Sequence, residues 1–292
     1  MGSTGSVIEI VQTYRAEAGT NVRYVVRLED GAEVEAVVYR GDTACLSTQV
    51  GCGVRCPFCA SGANGLSRSL DADTMMSVLA RLEAEGHTIA RVTLSGSGEP
   101  MHASDACAEV VRRCHERRTP ASITTSGGPL PRLSTWLSAD APPHNGITIS
   151  VHAGTEPVRA RMVPAGPPLD GLFALLADRV PKLPRKRRKK IALAYLVIEG
   201  SNDTDEEIDA FAERARPIGA AIHLYAHNAV PTSPLHGVSR ERYEAIYERM
   251  RTRDLVVRMS SQARLEANGG CGTLVAVRSL TRASARARRA EA

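Results

Sequence analysis

The chain has 292 residues, 43% of them hydrophobic and 24% charged, and a net charge of +5. This balance is typical of a globular protein with one large α/β domain or two small ones, and it excludes disorder over most of the chain. No apolar run approaches the ~20 residues of a membrane-spanning helix and no secretory signal opens the chain, so we expect a cytoplasmic protein without a membrane partner.

The first part of the chain has the pattern of a β-hairpin. In the stretch NVRYVVRLEDGAEVEAVVY, apolar and polar residues alternate on both sides of Asp30 and Gly31. Asp-Gly is a common two-residue hairpin turn. We therefore expect residues 1–42 to form a small N-terminal β-hairpin extension.

From residue 43, short apolar runs alternate with amphipathic helical patterns. The predicted strands are TACLST, RVTLSG, ASITTSG, ITISVHA, IALAYLVI, AIHLYAHN and LVVRMS. The predicted helices are TMMSVLARLEAEG, SDACAEVVRRCHERR, GLFALLADRV, TDEEIDAFAERAR and SRERYEAIYERM. Thr204 and Glu207 form a predicted capping box. Six βα units in a row predict an α/β fold, a partial (β/α)6 TIM-type barrel over residues 43–278.

The chemically distinctive residues follow the predicted strands. A cysteine-containing loop follows the first of these strands, GSGEP the second, SG the third and AHN the sixth, and SVHA ends the fourth. In barrels of this type the chemistry lies at the carboxyl ends of the strands. We expect the functional site at that end.

Two stretches carry the excess positive charge. Residues 182–190 hold seven Lys or Arg, and residues 282–289 hold four Arg within a tail, residues 279–292, that we expect to be disordered. Such patches can attract nucleic acid or another polyanion, whereas a solvated loop and a frayed tail are the alternative. The first stretch precedes a strand, which predicts a position at the amino end of the barrel, opposite the chemistry.

The seven cysteines divide into three groups. An odd number in a chain without a secretory signal argues against a disulfide framework. Cys107 and Cys114 lie seven residues apart on a predicted helix and are interpreted as packing residues. Three more lie in GCGVRCPFCA, and Cys45 and Cys271 stand apart.

The three clustered cysteines, Cys52, Cys56 and Cys59, have the spacing C-x3-C-x2-C. Structural zinc sites usually take four ligands in two separated pairs, and packing cysteines are rarely so dense. A cubane iron–sulfur cluster has four irons held by thiolates. Three cysteines leave one iron for a small molecule, so the spacing favours such a cluster over zinc or packing.

This loop, with Phe58 just before the last cysteine, resembles the signature of radical S-adenosylmethionine enzymes. The segment LSGSGEP resembles the superfamily's GGE segment, which holds the methionine end of the cofactor. The resemblance implies a [4Fe-4S] cluster on Cys52, Cys56 and Cys59 and S-adenosylmethionine as cofactors. It also implies an external one-electron reductant of the flavodoxin or ferredoxin type.

The stretch CLSTQVGCGVRCPFCASGANGLSRSL resembles more narrowly the RlmN and Cfr family, which methylates adenine in ribosomal RNA at C2 or C8. Cys45 stands seven residues before the triplet, as in that family. Counterparts of TTSG, ISVHA, RARMVP, YAHNAVP and GGCGTL occur in the same order. The resemblance covers residues 22–278.

The resemblance to this family implies a two-stage reaction that uses two S-adenosylmethionine molecules per turnover. Cys271 takes a methyl group from the first, and a radical from the second removes a hydrogen from that group. The carbon then adds to the substrate ring, and Cys45 releases the product by forming a disulfide with Cys271. Glu35 matches a residue that assists at the substrate ring. The implied cofactor-binding residues are Phe58, Gly98, Glu99, Ser126, Ser150, His152 and Asn228.

The substrate is predicted less directly than the chemistry. The ribosomal RNA enzymes carry a helical N-terminal domain that this sequence does not match, and only 4% of the residues are aromatic, which gives little sign of base stacking. We therefore favour transfer of a one-carbon unit to an sp² carbon of a small or nucleotide-like substrate. Methylation of adenine in RNA is the alternative. A non-catalytic relative is disfavoured, because all five expected cysteines are present.

Overall fold

The computed structural model describes residues 8–15, 21–63, 65–259 and 272–279. Strands β1 to β12 in these ranges are Glu9–Arg15, Val22–Arg27, Glu33–Tyr39, Thr43–Leu46, Gln49–Gly51, Leu66–Ser69, Arg91–Leu94, Ala121–Thr125, Gly146–Ser150, Ile191–Val197, Ala221–Ala226 and Val257–Met259. Helices α1 to α9 are Ala60–Ala63, Ala72–Ala84, Ser104–Glu116, Leu130–Trp136, Glu156–Met162, Leu169–Arg179, Arg185–Arg188, Asp205–Ala215 and Arg240–Arg251. Short 3₁₀ helices cover Pro100–Ala103, Val180–Lys182 and Arg216–Ile218. A further helix, α10, covers residues 273–279.

The strands form one large sheet and one small hairpin. The sheet has the order β1-β2-β3-β4-β7-β8-β9-β10-β11-β12, and β5 pairs with β6 separately. Seven strands of the sheet, β4 and β7 to β12, are parallel to one another. This confirms the α/β class with a parallel, helix-connected sheet; in the described part of the chain the sheet is open, since β1 and β12 are its two edges.

The N-terminal strands continue this sheet. The predicted hairpin is present as β2 and β3, which are antiparallel across the turn at Gly31. A third strand, β1, pairs with β2, and β3 pairs antiparallel with β4. The extension therefore forms one hydrogen-bonded layer with the parallel strands. Of the predicted tail, residues 279–292, only Ser279 is described, and it ends α10.

The two faces of the parallel sheet differ in chemistry. One row of paired residues is apolar and at most 1% exposed, and it packs against the helices: Leu46, Leu94, Ile123, Ile147 and Ile191. Since side chains alternate along a strand, the residues between these project from the other face. That inner face carries polar or small residues: Cys45, Thr93, Ser122, Thr148 and Ala192.

The structure adds short elements that the sequence patterns did not predict. Helices α4 and α5 have seven residues each, and α7 lies within the basic stretch 182–190. Two turns are too few to show a helical period. The last residue of α4, Trp136, is buried, and its indole N–H donates a hydrogen bond to Ser104 Oγ at 3.0 Å. This contact fixes the end of the helix. None of the described helices is long and apolar enough to cross a membrane.

The end of β9 is tied to α8 by a close backbone approach. Thr204 caps α8, as predicted, by accepting from the backbone N–H of Glu207. The buried carboxylate of Glu207 accepts from the N–H groups of Gly154 and Thr155 and from the Thr155 hydroxyl. Gly154 lies so close to α8 that a Cβ there would be 2.5 Å from the nitrogen of Phe211.

Gly154→Ala is expected to destabilise the protein by about 3 kcal/mol, because the added methyl group meets helix backbone that cannot move aside. Gly200→Ala serves as the control, since Gly200 has a φ of +64° with nothing within 4 Å of an added Cβ; it should cost about 1 kcal/mol. Urea denaturation measures both. Equal losses in the two variants would contradict the packing argument.

Candidate active site

The cysteine loop lies between β5 and β6, directly after the first parallel strand. The two strands form an antiparallel hairpin, and the backbone N–H of Cys52 donates to the carbonyl of Gly65 at 2.9 Å. Short helix α1 turns the chain back immediately after Cys59. The hairpin therefore presents all three cysteines within one compact loop at the carboxyl end of the sheet, as predicted.

The three thiols of the loop interact with one another electrostatically. Cys52 is buried, and Cys56 and Cys59 are partly exposed. Burial raises the pKa of the Cys52 thiol to about 11, although hydrogen bonds from the backbone of Val54 and Arg55 act against this. The pKa of Cys56 is also raised, first by loss of solvent and then by the charges of Cys59 and Cys52. Such mutual effects require the sulfurs to share one small region.

A separate apolar cluster surrounds this loop. It consists of Cys52, Val54, Met162, Val163 and Ile198, with Cys56 and Phe58 packed at its side. Met162 and Val163 come from the RARMVP stretch, and the N–H of Ala165 donates to the carbonyl of Val54 at 3.3 Å. The RARMVP stretch therefore packs against the cysteine loop and limits the access of water to the sulfur atoms of the loop.

The GSGEP turn after β7 packs against the segment that follows β4. Gly98 has a φ of +110°, and a Cβ there would lie 2.6 Å from Thr48 Oγ1 and 2.7 Å from the side chain of Gln49. The N–H of Glu99 donates to Gln49 Oε1 at 2.9 Å. Glycine is required at this turn because both its φ and its surroundings exclude a side chain.

Glu99 joins two neighbouring strand ends. Its carboxylate is 3% exposed and accepts from Met101 N at 2.9 Å, from Ser126 N at 2.7 Å and from the hydroxyl of Thr125. A carboxylate has about four acceptor positions. Three are used within the chain, so one on Oε2 is left for a further donor.

Arg159 is a buried cation that reasoning from the sequence missed. It is 1% exposed and donates to four carbonyl oxygens, those of Ser126 (2.7 Å), Ser150 and Val151 (both 2.8 Å) and Pro167 (3.2 Å). Among the residues described it forms no ion pair. Burial lowers the pKa of its guanidinium to about 10, and the negative charge of Cys56 is the largest effect in the opposite direction. The quoted RARMVP stretch contained this residue, but only burial distinguishes it from the exposed Arg161.

The remaining predicted cofactor-binding residues lie at neighbouring strand ends. The ring of Phe58 meets that of His152 edge-on, with centroids 5.3 Å apart. His152 has a φ of 57°, and its Nδ1 accepts from the N–H of Leu196 at 3.0 Å. Burial lowers the pKa of His152 to about 3, so the ring is neutral. Ser126 and Ser150 are joined through Arg159, and Asn228 lies half-buried after β11.

Some buried polar atoms at this end have no partner among the described residues. They are the hydroxyl oxygens of Ser126 and Thr48 and Nε2 of His227. Buried polar atoms are nearly always hydrogen-bonded, so these three have the capacity to bond a ligand or an ordered water molecule. His227 was not among the predicted residues, although it precedes Asn228 in the quoted YAHNAVP stretch.

Cys45 and Glu35 occupy the inner face of adjacent strands. Cys45 on β4 is 6% exposed, and its sulfur lies 3.3 Å from Ser95 Oγ. It pairs in register with Val37, two residues along β3 from Glu35, so the side chains of Glu35 and Cys45 share a face.

Glu35 is in contact with the segment that follows Cys271. Its carboxylate, 2% exposed, accepts from Leu274 N at 3.1 Å and from the backbone of Gly272, and lies 3.4 Å from Arg23 Nη1. Cys271 itself lies outside the described residues. Gly272 packs against α1, where an added Cβ would be 3.0 Å from the nitrogen of Ser61. The segment after Cys271 is thus held between the strand next to Cys45 and the cysteine loop.

A cavity of about 280 Å³ opens at the same place. Its lining includes Glu33, Val50, Ser61, Ser97, Gly272 and Ala276. It therefore adjoins the GSGEP turn, the hairpin of the cysteine loop and the segment after Cys271. Its volume is close to the lower limit for pockets that bind small ligands.

The sheet, the three-cysteine loop and the turn after β7 define the class of radical S-adenosylmethionine enzymes. The sequence profile of the Radical SAM superfamily matches residues 46–215. A structure of a radical SAM methyltransferase from Sphaerobacter thermophilus has a TM-score of 0.79 and 28% identity, and the match covers 91% of this chain and 80% of that one.

Two curated relatives identify the family within this superfamily. A probable dual-specificity RNA methyltransferase RlmN from Carboxydothermus hydrogenoformans is 30% identical, and the match covers 92% of this chain and 80% of the relative. The dual-specificity RNA methyltransferase RlmN 1 of Myxococcus xanthus is 31% identical, with 88% and 74% covered. The chain belongs to the RlmN family of radical SAM methyltransferases. Its cofactors are a [4Fe-4S] cluster and S-adenosylmethionine, two molecules of the latter per turnover.

Arg159→Met is expected to lower the free energy of unfolding by about 3–5 kcal/mol, because four carbonyl groups lose their shared donor. Arg159→Lys, which keeps the charge but not the geometry, should lose less. Arg161→Met, two residues away and exposed, is the matched control and should stay within about 0.5 kcal/mol of the wild type. Denaturant titration compares them, and similar values for the Arg159→Met and Arg161→Met variants would contradict this role.

The stability of the protein should depend on pH through Glu35. Burial raises the pKa of its carboxyl group from 4.5 to about 7, and this outweighs the opposing charge of Arg23. Between these values the folded protein holds a proton that the unfolded chain has released, so stability falls as pH rises through this range. The limit for one group is about 1.4 kcal/mol per pH unit.

In Glu35→Gln this fall should be absent. The free energy of unfolding of the variant and of the wild type is measured at several pH values between 4.5 and 7. The difference between the two proteins at each pH cancels the titration of the other groups. Parallel pH profiles in the two proteins would show that the folded carboxyl group keeps its ordinary pKa.

Proposed function

We propose that this enzyme methylates an sp² carbon of adenine in RNA, with the methyl group carried on Cys271 and the product released by Cys45. The observation that carries the proposal is the position of the segment after Cys271. Glu35 on β3 accepts a hydrogen bond from the backbone of this segment. β3 is the strand next to that of Cys45, and the side chains of Glu35 and Cys45 lie on the same face of the sheet. A thiol pair that exchanges bonds during turnover needs this kind of proximity.

The residues of the loop fit a [4Fe-4S] cluster on chemical grounds. Cys52, Cys56 and Cys59 supply three thiols from one compact loop, and iron–sulfur clusters are held by thiolates. The cysteine ligands of a cluster bind different iron atoms. Their sulfur atoms therefore need not point at one position, as the ligands of a single metal ion must. In the described ranges no three His, Cys, Asp or Glu side chains converge in that way. The Arg159 cation near Cys56 offsets the negative charge that three thiolates bring.

The neighbouring strand ends fit S-adenosylmethionine. The open acceptor position of Glu99 suits its ammonium group, and the unpartnered Ser126 hydroxyl suits a polar group of the same molecule. Phe58 and His152 offer ring surfaces, while Gly98, Ser150 and Asn228 complete the assigned cofactor contacts. When bound, the two cofactors together supply a carbon-centred radical that can remove a hydrogen atom from an unactivated methyl group.

The chain's own thiols carry out the remaining steps. A thiolate at Cys271 is the nucleophile that accepts the methyl group. After the one-carbon unit is joined to the base, the Cys45 thiolate attacks the sulfur of Cys271. The S–S bond forms as the S–C bond breaks, and the electron pair of the S–C bond takes up a proton to complete the methyl group. The unpaired electron of the initial adduct and, as a proton, the hydrogen of the substituted ring carbon leave before this step. An external reductant, for which we propose a flavodoxin or ferredoxin type of donor, supplies the electrons of the cycle.

RNA is favoured as the substrate by the relatives, which are named RNA methyltransferases. The cavity of about 280 Å³ beside Gly272 suits a single base rather than a larger group. A base extruded from its stack into such a pocket is the usual way in which enzymes modify nucleic acid. The size of the same cavity also favours a free nucleotide-like compound, which is the second candidate.

Methyl-labelled S-adenosylmethionine tests the thiol chemistry in anaerobically reconstituted protein. We expect label on the Cys271 peptide of the wild type and of Cys45→Ala, and none in Cys271→Ala. Cys45→Ala should also accumulate a covalent adduct between protein and substrate. Cys114→Ala, a buried cysteine of α3 far from the loop, is the control and should behave as the wild type.

A wild-type protein with full iron content and cofactor cleavage but no label on Cys271 would refute the two-stage reaction. The substrate is decided by following the label from pre-labelled protein. Its appearance in adenine of RNA supports the first candidate, and its appearance only in free adenine nucleotides supports the second.

A further inference from the structure

The amino end of the sheet carries an exposed basic surface. Residues 182–190 lead into β10, so they lie at the opposite end of the strands from the cysteine loop, as predicted. Four of their side chains are exposed on and just after α7, and together they form what we call the basic surface: Arg185, Lys186, Arg188 and Lys189.

In the described structure the residues of this surface are not paired with carboxylates. Lys182 pairs with Asp178, which also lies near Arg179. None of the four residues of the basic surface forms an ion pair with a described carboxylate. Elsewhere the exposed arginines of the protein are commonly paired, as Arg112 is with Glu109 and Arg240 with Glu244.

The fold keeps this positive charge in a fixed place. Arg187 donates to the carbonyls of Ser138 and Ala139 at 3.0 and 3.2 Å, and Lys190 Nζ donates to Asn145 Oδ1 at 2.7 Å. Residues of one sign at helical neighbours repel each other. The anchored Arg187, within the turn, and Lys190, directly after it, therefore hold together a cationic turn that repulsion alone would loosen.

The position of the surface restricts its partner. An electron donor must approach the cysteine loop, but the seven residues of β10 alone separate the two ends by roughly 20 Å. Stable anchoring to a membrane combines a basic patch with inserted apolar groups or a lipid chain. Of the two apolar residues in the stretch, Leu183 is buried and only Pro184 is exposed. A flexible polyanion can extend around the domain to the cysteine loop, and it binds through charge without apolar groups.

We propose that the basic surface binds the phosphate backbone of an RNA whose target base lies at the opposite end of the sheet. This rests on the proposed RNA substrate. The contacts are to phosphates and carry no sequence preference. They add affinity only for an RNA long enough to reach both ends, so the surface selects large or folded RNA over short fragments.

Salt dependence of RNA binding tests this surface. The variant combines four substitutions to glutamine, which keeps helix propensity: Arg185→Gln, Lys186→Gln, Arg188→Gln and Lys189→Gln. The control removes the same charge from arginines paired with carboxylates: Arg91→Gln, Arg112→Gln, Arg240→Gln and Arg251→Gln. The probes are ribosomal RNA and an adenosine-containing trinucleotide.

For ribosomal RNA, each lost phosphate contact should reduce the slope of log affinity against log salt by about 0.7–0.9. The basic-surface variant should therefore bind more weakly and with a shallower slope than the control. Its iron content, its cofactor cleavage and its modification of the trinucleotide should equal those of the wild type.

Equal slopes in the variant and the wild type, or equal reductions in the variant and the control, would overturn the proposal while leaving the RNA substrate intact. Unimpaired RNA binding together with lost binding of an acidic protein partner would also overturn it. A wild type that binds no RNA at low salt would instead refute the RNA substrate itself.

Discussion

The buried guanidinium of Arg159 determines how the ends of the parallel strands meet the cysteine loop. A buried charge is costly unless hydrogen bonds and opposite charges compensate it. Carbonyls after β8, at the end of β9 and before α6 supply the hydrogen bonds, and the opposite charge comes from Cys56, when its thiol is ionised, and from Glu99. Arg159 therefore lies where negative charge on the cysteine loop and on Glu99 favours its charged form.

Two buried carboxylates also hold loops at this part of the protein. Glu99 joins the turn after β7 to the end of β8, while Glu35 joins β3 to the start of α10. Each has its oxygens engaged by backbone N–H groups, so each fixes a loop before any ligand binds. Such preorganisation reduces the ordering cost that binding a cofactor or substrate otherwise carries. It also gives Glu35 a positioning role beside the one at the substrate ring that the family resemblance implies.

The sequence predicted the features that depend on local pattern. The alternation of apolar runs with helical periods predicted the parallel sheet, and the position of motifs after strands predicted the end at which they gather. Local pattern could not reveal α4 and α5, whose two turns show no period, or the third strand β1. Nor could it distinguish Arg159 from Arg161, or show that Glu35 meets Leu274, because such contacts join residues far apart in the chain. Burial and long-range partners are properties of the packed structure.

The two faces and the two ends of the sheet have different chemistry, as the proposed combination of a large RNA substrate with a shielded site requires. Apolar packing occupies the helix-covered face, so the inner face is free to carry small and polar residues such as Cys45 and Thr93. The buried Cys45 lies on that face, towards the carboxyl end of the strands. Charge that would disturb the thiol pKa values is placed at the amino end, roughly one strand length away, where solvent screens it. Long-range affinity for a polyanion can therefore rise without a change in the chemistry of the site.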